Sequence, residues 1–133
     1  MGQIVGFLLA STIAFLAQSE ADDASLRLVE NFAAAVQYSP ERAKEFTTDG
    51  ATIGFGDYAG GRSIDRFAME ANRCELRSIS QPAVPANWKL DGARYFQIIW
   101  QCPPPYGPRE GPNLTVNLFV KQKIVAGTGR FTG

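Results

Sequence analysis

The sequence predicts an α+β domain, three helices followed by an antiparallel sheet, behind an N-terminal export signal. Three observations carry this. From Asp22 to Ala71 apolar residues recur mainly at three- and four-residue spacing, with a short interruption at residues 51–56; from Cys74 onward they recur at two. Helix-type segments first and strand-type segments afterwards point to α+β rather than an alternating α/β chain. Ahead of both, Ile4 to Ala17 is an unbroken run of apolar and small residues.

That run, followed by Ala17-Gln18-Ser19 and then Glu20-Ala21-Asp22-Asp23, has the form of a signal peptide over residues 1–19. Cleavage is expected after Ser19 or Ala21, leaving residues 22–133 as one domain in a secreted or periplasmic protein. The run is shorter than the ~20 residues a spanning helix needs, so cleavage leaves no stable membrane insertion. No Lys or Arg precedes it, and an uncleaved anchor or a buried helix are the alternatives.

The elements follow in order. Asp22 and Asp23 are natural N-caps for a helix over 24–38, with Leu26, Val29, Phe32 or Ala33, and Val36 on its inner face. Ser39-Pro40-Glu41 starts a short second helix, Pro in its first turn and an acid facing the dipole, with Ala43 and Phe46 inward. Asp49-Gly50 is a turn. Ala51, Ile53 and Phe55 then alternate with Thr52, Gly54 and Gly56 as a strand. Ser63 caps a third helix whose inner face is Ile64, Phe67, Ala68 and Ala71. Four strands follow, over 74–81, 94–102, 114–121 and 124–132.

Composition excludes several functions. The 133 residues contain 13 Lys plus Arg and 13 Asp plus Glu, so no net positive charge supports nucleic acid as a partner. There is no histidine, which removes the commonest general base and the commonest metal ligand. With two cysteines as well, a structural zinc site of ordinary composition is excluded. No metal and no cofactor is implied. In the antiparallel pairing that sets Leu76 opposite Trp100 and Ser78 opposite Ile98, Cys74 meets Cys102. A disulfide is therefore expected in an oxidising compartment, with two free buried thiols as the alternative.

The stretch Phe46-Thr47-Thr48-Asp49-Gly50-Ala51-Thr52-Ile53-Gly54-Phe55, continued by Tyr58-Ala59-Gly60-Gly61-Arg62-Ser63-Ile64-Asp65-Arg66-Phe67, resembles the nuclear transport factor 2-like (SnoaL-like) superfamily. The order of elements is similar over essentially the whole mature chain. The resemblance implies a cone, a curved antiparallel sheet wrapped around three helices to leave an apolar pocket. It also implies a comparison with ketosteroid isomerase, residue by residue. The isomerase's catalytic tyrosine falls at Phe32, its general base at Phe55, and its oxyanion-hole aspartate at or near Asn117. None of the three can titrate, and Asn117 could only polarise a carbonyl as a neutral donor.

Three functions remain open, in this order. The first is binding of a small apolar molecule without turnover, in a pocket lined by Phe32, Phe55, Phe96, Trp100 and Asn117. Aromatics at such spacings also serve simply as core. The second is a lyase, isomerase or hydrolase on a hydrophobic substrate, with Asp57 or Tyr38 as the candidate catalytic group; Asp57 is equally an ordinary turn residue. The third is a docking module. Leu114, Val116, Leu118 and Val120 alternate with Thr115, Asn117, Phe119 and Lys121, and a homodimer is expected if the aliphatic set faces outward.

Overall fold

The computed structural model describes residues 22–56, 61–104 and 111–133, which form three helices packed on a six-stranded sheet. The expected signal peptide, residues 57–60 with the candidates Asp57 and Tyr58, and residues 105–110 lie outside the described residues. Helix α1 covers residues 22–38 and a 3-10 helix covers Pro40–Phe46. The remaining elements are β1 (Thr52–Phe55), β2 (Arg62–Ser63), α2 (Ile64–Ala71), β3 (Glu75–Ser80), β4 (Arg94–Gln101), β5 (Asn113–Lys121) and β6 (Lys123–Thr132). Among the described residues no helix is long and apolar enough to cross a membrane.

Local chemistry accounts for most boundaries. Ser63 Oγ accepts the Arg66 N–H at 3.2 Å and caps α2, as its sequence position requires. At the start of α1 the expected caps are instead part of the helix. Asp22 is already helical, and its carboxylate accepts Arg94 Nε at 2.6 Å, which ties α1 to the start of β4. An ion pair across elements outcompetes the local cap here.

The sheet order is β2-β1-β6-β5-β4-β3. Strands β3 to β6 form the expected antiparallel meander, but β1 pairs in parallel with β6, Ile53 beside Gly127 and Phe55 beside Gly129. The sheet is therefore mixed rather than antiparallel. Period-two alternation in β1 reveals its faces but not its direction, and α2 with the meander supplies the long crossover that a parallel neighbour needs. The β1–β6 seam explains two glycines. A Cβ at Gly127 would come within 2.6 Å of Ile53 Cδ1 and 2.9 Å of the Asn117 carbonyl oxygen. One at Gly129 would lie 2.5 Å from the Phe55 ring, so Phe55 covers that glycine in place of a side chain.

The core lies between the helices and one face of the sheet. Val29, Phe32 and Val36 from α1 and Phe67 from α2 meet Phe96, Ile98, Trp100, Val116, Leu118 and Val120 from the strands, all essentially inaccessible to solvent. The aliphatic set of β5 thus faces inward, and Thr115, Asn117, Phe119 and Lys121 face the other way.

One register differs from expectation. Leu76 pairs with Trp100, but a bulge at Arg77 then sets Ser78 opposite Ile99 and Ile79 opposite Ile98. Leu76 and Ile79 are three apart, so a regular strand would send them to opposite faces. The extra residue lets both pack against the core. Cys74 and Cys102, just beyond the ladder, are disulfide-bonded, with Cα atoms 4.2 Å apart.

Candidate functional site

The structure brings together four of the five residues expected to line an apolar pocket, but as packed core. Phe32 stacks on Phe67 at 6.3 Å, Phe55 tilts against Phe67 at 6.3 Å, and Trp100 stands edge-on to Phe67 at 5.7 Å. Phe96 is fully buried in the same cluster. The depression that reaches this cluster beside Phe55, Phe67 and Phe131 holds only about 20 Å³. Arg62 crosses its mouth, with the guanidinium 4.2 Å from the Phe55 ring centre and 3.4 Å from Glu70. Trp100 Nε1 is buried and makes no hydrogen bond among the described residues. An unpaired buried donor costs roughly 1–3 kcal/mol.

Asn117, the fifth residue, is not with them. It lies on the far face of the sheet, where Oδ1 accepts Tyr95 Oη–H at 2.8 Å and Gln97 Nε2–H at 3.1 Å, and Nδ2 donates to Thr128 Oγ1 at 3.3 Å. This polar row crosses β4, β5 and β6. Beside it Trp88, from the connection between β3 and β4, meets Tyr95 edge-on at 5.1 Å, and Tyr95 stacks on Phe119 at 5.8 Å.

Tyr38, the catalytic candidate within the described residues, ends α1 with 83% of its surface exposed. It stands at the rim of a groove of about 490 Å³ between α1 and the edge strand β3. Glu30, Ala34, Gln37 and Tyr38 form one wall, and Glu75, Leu76 and Ile79 the other. The first four fall at i, i+4, i+7 and i+8, one stripe of a helix. Glu30, Ala34 and Tyr38 are exposed, whereas Leu76 and Ile79 are half-buried and form an apolar floor.

Fixed ties set the position of the two walls. Gln37 Oε1 accepts the Leu76 N–H at 3.3 Å, joining its two walls. Asn72 Nδ2 donates to the carbonyls of Val36 and Gln37, both at 3.0 Å, and so closes the C-terminal end of α1 onto the turn after α2. The disulfide anchors Cys74 immediately before Glu75. By occupying an edge N–H of β3, Gln37 also blunts that edge against strand addition.

Of these groove residues sequence reasoning singled out Tyr38 alone. The available signal was the three-residue spacing of Leu76 and Ile79, which implies a bulge. Among the described residues no group of three or more Cys, Asp or Glu could hold a metal ion. The chain matches no protein-family model, no curated protein and no solved structure.

Proposed function

We propose that this is an exported, disulfide-braced binding protein, a divergent nuclear transport factor 2-like domain that holds a small, largely apolar molecule without transforming it. The observation that carries this reading is the groove between α1 and β3. Its volume is within the several-hundred-Å³ range of small-molecule sites, and its apolar floor is edged by a few polar groups, which is the usual composition of such sites. The interior aromatics support the fold rather than the ligand. A chain without histidine, whose first-strand and first-helix candidates are phenylalanines, supports binding over turnover. The disulfide fits an oxidising compartment outside the cytoplasm.

The test is native mass spectrometry of the protein recovered from its own host, followed by denaturation and identification of any released compound. Ala34 is exposed, so Ala34→Arg fills the groove without disturbing the core. The wild-type chain is expected to retain a compound and the variant to lose it, with the variant's Tm matching that of the ligand-free wild type. Retention by both would place the ligand elsewhere.

A second reading is favoured by the sheet face that carries Trp88, Tyr95 and Phe119. The described helices pack against the opposite face, and Trp88 leaves 37% of its surface exposed on this one. We propose that two copies associate through it, with the aromatic trio at the centre. Sedimentation over a hundredfold concentration range is expected to show a dimer that Phe119→Glu dissociates. A monomer at the highest concentration would end this reading.

A further inference from the structure

We infer that the α1–β3 groove selects an organic cation, an amine or quaternary ammonium carried on an apolar body. This inference rests on the groove reading above and adds the charge of the ligand to it. Among the seven lining residues the charged side chains are Glu30 on one wall and Glu75 on the other, and there is no Lys or Arg. Arg77 forms an ion pair with Glu75 at 3.7 Å, but both side chains are more than half exposed, so solvent screens the pair and Glu75 keeps part of its charge for a ligand.

Tyr38 supplies the second element. Its ring is the most exposed large hydrophobic side chain among the described residues and stands at the same rim. An aromatic face attracts a cation and offers nothing to an anion, and alkylammonium groups are the ligands that benefit most. Gln37 Oε1 already accepts the Leu76 N–H, so the charged acceptors left in the groove are its two carboxylates. Leu76, Ile79 and Ala34 then take the apolar body of the ligand. Carboxylates on both walls, a π face and an aliphatic floor converge on one ligand chemistry. A fatty acid or another amphipathic anion would be repelled from the same surface.

The experiment titrates the full chain, labelled with 15N, with three probes of similar size: benzyltrimethylammonium, benzyl alcohol and phenylacetate. Amide shifts at Tyr38, Leu76 and Ile79 report occupancy of the groove. Benzyltrimethylammonium is expected to bind at least tenfold more tightly than phenylacetate, with benzyl alcohol between them. Glu30→Gln, Glu75→Gln and Tyr38→Ala are each expected to weaken the cation roughly two- to fivefold. The two carboxylate variants should leave benzyl alcohol unchanged, a difference that a merely structural role would not produce. Equal affinity for all three probes at these amides overturns the charge selectivity and leaves the groove reading standing. If none of the three shifts these amides, the groove reading fails and the inference with it.

Discussion

Phe67→Ala is expected to destabilise the fold by about 3–5 kcal/mol, the cost of deleting a large aromatic from a closed core. Phe67 is 1% exposed and is the hub of the aromatic cluster, in contact with Phe32, Phe55 and Trp100. It joins both helices to the β1 seam and to β4. Removing the ring forfeits its own burial and strips packing from three neighbours at once. Those neighbours cannot collapse into the space, because each is fixed by its backbone. Phe32 is locked in α1, Trp100 on β4 between its partners Leu76 of β3 and Leu114 of β5, and Phe55 over Gly129. A small domain is stable by ~0.05–0.15 kcal/mol per residue, so this loss removes a large share of the total. Chemical denaturation monitored by far-UV circular dichroism checks it, with Phe67→Leu as the control expected to lose less than half as much. A loss under about 1 kcal/mol for Phe67→Ala would mean that the cluster repacks and that the Phe67 ring is not its keystone.

What the sequence made legible divides along physical lines. Faces were legible: the inner residues of α2 and the aliphatic alternation of β5 each follow from a period that burial imposes. The Ser63 cap was legible because its chemistry is local. Strand direction was not, since Ile53 and Phe55 would alternate identically beside an antiparallel or a parallel neighbour. Neither was the packing of the phenylalanines against one another. An aromatic lining a pocket and an aromatic filling it carry the same hydropathy, and only the placement of Phe67 between Phe32, Phe55 and Trp100 decides. The sheet face of Asn117 followed from alternation along β5, but the family register that grouped it with Phe96 and Trp100 does not respect that alternation, because pairs of β4 and β5 residues opposite each other share a face. Asn117 pairs with Gln97, not with Phe96. The groove was hidden for a different reason. Its walls are Glu30–Tyr38 and Glu75–Ile79, far apart in the chain, and their juxtaposition depends on the Gln37–Leu76 tie that no short motif encodes.

The disulfide carries the second large effect. Replacing both Cys74 and Cys102 with serine is expected to lower stability by about 3–4 kcal/mol, the loop-closure entropy of a crosslink of this span. The two cysteines are 28 residues apart, and the chain between them contains the long 81–93 connection, which has little regular structure to restrain it in the unfolded state. Crosslinking this loop therefore restricts the denatured chain strongly. In the folded state the bridge holds the end of β4 against the beginning of the edge strand β3, where the ladder has no neighbour on the other side. The effect should then be larger on the groove than on the core. Core residues of β4 remain paired with β5 along eight register positions, whereas Glu75 and Leu76 rely on β4 and on the single Gln37 bond. Two measurements separate these contributions: the urea midpoint of the double variant, and hydrogen exchange at the Leu76 amide relative to that of Ile98. The expected result is a lowered midpoint together with a Leu76 amide that loses protection by more than the global destabilisation explains. Equal loss at both amides would mean that the bridge acts wholly through the unfolded chain and that the groove wall is held without it.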